Sequence, residues 1–202
     1  MLILTSNGLS SPEITNKLRP LFADCRKSVI ITTASVGYKE NDWHIPRLRE
    51  ELSSFGISDI EYFDFDSQNP SLLLQYDVIE IIGGNPFYLL NSMKKTGCEA
   101  LLKELAETKI LIGVSAGALV LQDNIDLIAK YSPEMNEDVG LSDLTGFALT
   151  DIEILPHYSR FLSVFDLFEE TAKEYENAEN RTVIRIDDGQ AVFIDNNRCE
   201  II

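Results

Sequence analysis

The chain has 202 residues, of which 45% are apolar and 25% charged. These are the proportions of a globular protein with a core to bury, not of a disordered chain. It carries 17 Lys and Arg against 33 Asp and Glu, a formal net charge of -16. A field of that sign repels phosphate backbones and anionic lipid, which argues against nucleic acid and membrane surfaces as partners. An anionic substrate would need a local cation to overcome the background.

Cys25, Cys98 and Cys199 are odd in number, far apart and form no CxxC, so neither a disulfide framework nor a metal site is expected, and nothing points to a cofactor. The opening MLILTSNGLSS lacks a basic region ahead of its apolar start, unlike a signal peptide. No apolar run approaches the roughly 18 residues of a membrane span. A cytoplasmic protein is the expectation.

In chain order, short β-branched runs predict strands over Leu2–Thr5, Ser28–Thr33, Ile60–Phe65, Asp77–Ile82 and Ile110–Val114. Continuous apolar runs of this length fit strands buried on both faces of a parallel sheet. Helical patterns fall between them: Glu13–Ala23 behind Pro12, Arg47–Phe55 ending at Gly56, and a long Pro86–Ala106 with a break at Gly97. The alternation predicts an α/β protein with a mainly parallel central sheet.

Beyond Ser115 the pattern changes. Gln122–Gly146 reads as a polar surface excursion or lid, and Phe147–Leu155 as a strand. Phe161, Phe165, Phe168, Ala172 and Tyr175 share one helical face. Thr182–Ile186 and Ala191–Ile194 read as a closing strand pair around an Asp187-Asp188-Gly189 turn. With no repeat or linker, residues 1–202 are expected to form one domain.

The strongest chemical signal is Gly113-Val114-Ser115-Ala116-Gly117, a G-x-S-x-G between an apolar strand and a helical run. Such a turn lifts a serine hydroxyl off the sheet edge, small neighbours avoid clashes within it, and the Ala116 N–H is placed to stabilise an oxyanion. The competing reading is a glycine-rich turn with an ordinary N-cap serine. A serine nucleophile needs a base, and the chain has only two histidines. His44 precedes a predicted helix and reads as a surface or capping residue. His157 follows a predicted strand, where catalytic groups gather in α/β sheets. It is the base expected for Ser115.

A second backbone signal is Ile82-Gly83-Gly84-Asn85-Pro86, where a strand ends in glycines ahead of an N-cap and a Pro at N1. It reads as a second oxyanion donor from the Gly84 region, with a phosphate-binding loop or a plain turn as alternatives. It is not a P-loop, because no G-K-[ST] follows. Arg160, the cation nearest His157 in sequence, is a candidate for a substrate carboxylate; the competing reading is a surface arginine at a helix start.

Four blocks together resemble the aspartyl dipeptidase (dipeptidase E) and cyanophycinase family of serine peptidases. They are residues 81–90 (IIGGNPFYLL), residues 113–118 around Ser115, Leu155-Pro156-His157, and Ile186-Asp187-Asp188-Gly189. The resemblance implies a flavodoxin-like three-layer sandwich akin to class I glutamine amidotransferases. It implies a small peptide substrate, possible aspartyl specificity, and a Ser115–His157 dyad completed by an acid. Asp188 falls where the family usually has Glu, one methylene longer; Glu134, Asp138 and Glu153 are alternative acids. Asn85, in the first block, is a substrate-binding candidate. Two readings of other classes remain: an inactive binding or signalling module of the same fold, and a non-peptidase esterase.

Overall fold

The structure is a computed structural model and describes residues 1–195 and 198–202. In chain order the elements are β1 (Leu2–Thr5), α1 (Pro12–Leu21), β2 (Lys27–Ile31), α2 (Ile45–Ser54), β3 (Asp59–Phe63), β4 (Val78–Ile81), α3 (Pro86–Lys95), α4 (Glu99–Thr108) and β5 (Ile110–Val114). There follow α5 (Ala116–Val120), α6 (Asp126–Tyr131), β6 (Glu153–Leu155), α7 (Tyr158–Leu162), α8 (Phe168–Glu179), β7 (Val183–Arg185), β8 (Ala191–Asp195) and β9 (Arg198–Ile201).

Among the described residues, seven strands form one sheet in the order β3-β2-β4-β5-β1-β8-β9. The first five in that order run parallel, and β8 and β9 pair antiparallel at one edge. This is the α/β class expected from the alternation. Leu2, Ile3, Leu4, Val29, Ile30, Ile31, Val78, Ile79 and Ile81 are all buried, which explains why these strands read as unbroken apolar runs. Ser11 caps α1 ahead of Pro12, and Asn85 caps α3 ahead of Pro86.

The structure corrects several local readings. The helical stretch from Pro86 does break where expected, into α3 and α4 at Gly97, whose φ is 65°. Of Phe147–Leu155 only Glu153–Leu155 is strand. The excursion after Gln122 contains α6 and a 3-10 turn at Pro133–Asn136. The aromatic face is divided among α7, the turn that carries Phe165, and α8, yet Phe161, Phe165, Phe168, Ala172 and Tyr175 still pack into one small cluster.

The predicted closing hairpin does not form. β7 pairs parallel with β6 in a separate two-stranded sheet, while β8 joins the main sheet beside β1. Residues 187–189 therefore cross between two sheets. Alternation within a short strand fixes its faces but not its partner, which long-range packing selects. The parallel β6–β7 register sets Leu155 against Arg185, so His157 and Asp188 emerge side by side just beyond it. That pairing assembles half of the site.

Candidate active site

Three neighbouring parallel strands deliver the other half at their carboxyl ends, where α/β sheets collect ligands. β1 runs into Ser6, β4 runs into Gly83 and Gly84, and β5 runs into Ser115. The Ser115 N–H donates to the Thr5 carbonyl at 2.9 Å, locking the ends of β1 and β5 together. Ser115 has φ 50° and ψ -112°, outside the regions open to a residue with a Cβ. Strain of this kind costs about 1–3 kcal/mol and persists only where surrounding structure enforces it. His157 is also left-handed, with φ 59° and ψ 29°.

The His157 ring bridges two groups. Nε2 lies 3.0 Å from Ser115 Oγ, and Nδ1 lies 2.5 Å from Asp188 Oδ1. His157 is buried and packs edge-on against Phe161 at 5.3 Å. Burial holds its pKa below the usual histidine value; the Asp188 carboxylate opposes that shift, and the Arg160 charge adds to it. Burial alone would raise Asp188, but hydrogen bonds from Ser6 and His157, with the Arg160 charge, hold it below the ordinary aspartate value. Arg160 lies 3.8 Å from Asp188 and is largely exposed, a geometry worth little energetically.

The carboxylates weighed as alternative acids lie elsewhere. Glu153 is buried in contact with Arg181, Tyr175 and Asn124. Glu134 and Asp138 line a neighbouring pocket with Asn85 and Tyr88. The Asn85 side chain accepts from the N–H groups of Phe87 and Tyr88 and donates to the Met135 carbonyl, so its polar atoms already have partners as a helix cap.

Gly84 and Ala116 flank Ser115 with their backbone. Neither N–H has an acceptor among the described residues, which leaves both free for a ligand. Gly84 must be glycine: its φ is 141°, and a Cβ there would stand 2.3 Å from the Ala34 carbonyl oxygen.

A cleft of about 220 Å³ opens over Ser115 and His157. Its walls include Asp42, His44, Arg47 and Arg160. His44, read as a surface or capping residue, is half-exposed, pairs with Asp42 at 2.9 Å and faces this cleft. Arg47 is held by Glu51 and by the Asn7 carbonyl at 2.9 Å. On the other side of Ser115 lies an apolar pocket walled by Pro86, Leu119, Ile128, Met135, Leu155 and Phe161. The sequence reading did not find Ser6, Asp42 or Arg47. The one signal for Ser6 is its place in Ser-Asn-Gly, directly after a buried strand.

A nucleophile-capable serine, a buried imidazole and a carboxylate in one line, beside free backbone donors, can perform acyl transfer. The family model for peptidase family S51 matches residues 2–202. The chain belongs to peptidase family S51. It is therefore a serine-type peptidase, a hydrolase.

An uncharacterized peptidase of Listeria monocytogenes is 29% identical over 186 residues, covering 87% of this chain and 88% of that protein. An uncharacterized peptidase of Pasteurella multocida is 33% identical over 133 residues, 64% of this chain and 61% of that protein's length. Among solved structures, a provisionally named peptidase E protein from Listeria monocytogenes superposes with a TM-score of 0.73 at 26% identity, covering 100% of this chain and 96% of that one. A peptidase from an acI-B1 Actinobacterium gives 0.73 at 18% identity, covering 100% and 86%, and supports the fold alone. These neighbours bear out the expected flavodoxin-like architecture. No helix among the described residues is long and apolar enough to cross a membrane.

Proposed function

We propose that this S51 peptidase, acting as a single domain, hydrolyses small peptides, dipeptides among them, through an acyl-enzyme. Ser115 is the nucleophile, His157 the general base and Asp188 the acid that orients it. The observation that carries the reading is the His157 ring, with one nitrogen 3.0 Å from Ser115 Oγ and the other 2.5 Å from Asp188.

Ser115 Oγ attacks the scissile carbonyl carbon while His157 Nε2 takes the hydroxyl proton. The oxyanion that forms is received by the N–H groups of Ala116 and Gly84. His157 returns the proton to the leaving amine as the C–N bond breaks. A water, deprotonated by the same nitrogen, then attacks the ester, and Ser115 leaves with the proton. The strained turn at Ser115 acts as a nucleophile elbow, holding the hydroxyl clear of the sheet. Arg160 and Arg47 in the cleft wall supply positive charge in a protein whose net charge is -16. They favour a substrate with a carboxylate, which includes peptides beginning with aspartate.

Two measurements test the reading. A fluorophosphonate probe should label Ser115, and Ser115→Ala should lower kcat on a responsive dipeptide by roughly 10⁴-fold or more. Wild-type turnover by purified Ser115→Ala would overturn the assignment. A folded protein that takes no label would favour an inactive binding module, and hydrolysis of simple esters with no cleavage of any peptide would favour an esterase.

A further inference from the structure

Asp188 is a short acid on a crossover between two sheets, and its side chain stays more than a third exposed. Competition from water should weaken its grip on His157. Ser6, one residue beyond β1, meets both partners. It is 0% exposed. Its hydroxyl donates to Asp188 Oδ1 at 2.7 Å, and its oxygen accepts the backbone N–H of His157 at 2.9 Å and stands 3.2 Å from His157 Nδ1. Ser6 is itself fixed. Its N–H donates to the Gln190 carbonyl at 3.3 Å, and the next turn is closed by Thr5 Oγ1 and Gly8.

We propose that Ser6 is a positioning residue of the active site: its hydroxyl selects the Nδ1-protonated tautomer of His157 and holds Asp188 in line. This rests on the Ser115–His157–Asp188 reading above.

A serine hydroxyl has one hydrogen to donate. Here it goes to Asp188, because an ionised carboxylate is an acceptor only and makes the stronger, charge-assisted bond. The Ser6 oxygen then meets Nδ1 only as an acceptor. Asp188 also meets Nδ1 only as an acceptor. Two acceptors facing one ring nitrogen require a hydrogen on it. In the neutral ring the lone pair is thereby assigned to Nε2, which faces Ser115. The same oxygen, by taking the His157 N–H, also fixes the left-handed backbone that aims the ring. Without Ser6, Asp188 must do this alone from a partly solvated position.

Histidine-selective ¹⁵N NMR reads the tautomer directly, and with only two histidines in the chain both signals are assignable. His44 pairs with Asp42 and serves as an internal check of folding. In the wild type above the His157 titration, the proton should sit on Nδ1; finding it on Nε2 overturns the proposal outright. In Ser6→Ala, and in Ser6→Cys, which keeps the bulk but hydrogen-bonds poorly, His157 should become a mixture of tautomers while His44 is unchanged. With a responsive peptide, kcat should fall about 10²-fold, less than for complete loss of the tautomer, with KM within about threefold. A folded variant that keeps the wild-type tautomer and kcat overturns the role. If the wild type takes no fluorophosphonate label while the tautomer still depends on Ser6, the acyl-enzyme mechanism fails and this inference stands.

Discussion

Gly117 rests on Ile81: a Cβ built on Gly117 would stand 2.1 Å from the Ile81 carbonyl oxygen and 2.7 Å from its carbonyl carbon. The contact joins the start of α5 to the end of β4, the two segments that flank the nucleophile with Ala116 and Gly84. Backbone cannot swing aside as a side chain can. Gly117→Ala must therefore separate α5 from β4 and disturb both donors together. Overpacking of a tight core costs about 1–3 kcal/mol, and a backbone obstacle belongs at the upper end. For a chain of this size the melting temperature should fall by roughly 6–12 °C. Peptide hydrolysis in the folded variant should fall at least about a hundredfold, by the measure of a lost oxyanion donor. Unchanged melting and unchanged turnover would show that the two segments are free to part.

The acid limb of the pH profile should report His157. Burial depresses its pKa, so the limb in kcat/KM should have its midpoint below the ordinary histidine value of 6.5. The Arg160 charge contributes to that lowering. Arg160→Ala removes a positive neighbour, stabilises the imidazolium and should move the midpoint upward. If Arg160 also receives a substrate carboxylate, KM should rise several-fold for acidic peptides and stay level for neutral ones. A midpoint that stays put or moves down would show that the guanidinium does not act on the ring.

The central strands were legible because burial on both faces leaves one short unbroken apolar run per strand. Ile79 and Ile112 are examples, each 0% exposed. The serine turn was legible because its geometry demands small residues, and only glycine and alanine satisfy it at positions 113, 116, 117 and 118. The partner of β7 was not legible. Val183, Ile184 and Arg185 carry the same local pattern whether they meet β8 or β6. The exposed edge strand β9 was missed because Arg198, Cys199, Glu200 and Ile201 are all solvent-facing, and no apolar alternation marks them.

The line through the site divides the same way. Ser115 and His157 announce themselves by local motif and by scarcity. Asp188 was indicated by resemblance to a family, and nothing local distinguishes it from Asp187, which instead caps the Ser159 N–H at 2.6 Å. Ser6 lies 151 positions from His157, and a serine after a strand is common. Its role exists only once β1 and β5 are paired, which is a property of topology rather than of any window of sequence.

Glu80 lies in β4 between Ile30 and Ile112, is 0% exposed, and has no hydrogen-bond partner at either carboxyl oxygen among the described residues. Burial pushes its pKa up to about 8; the Glu51 charge adds to the rise and Arg47 opposes it. In the unfolded chain the same group titrates near 4.5. Between those values the folded state keeps a proton that the unfolded state has released, so stability must fall as pH rises from about 4.5 to 8, then level off. Over the whole window the loss from this one group is on the order of 5 kcal/mol. Glu80→Met fills a similar volume with no ionisable atom and should remove the slope. Denaturant melts at pH 5.5 and 8.5 should show the variant gaining most at the higher pH, with a small difference at the lower one. Parallel stability curves for the two proteins across that range would mean the carboxyl finds a partner or water when it ionises.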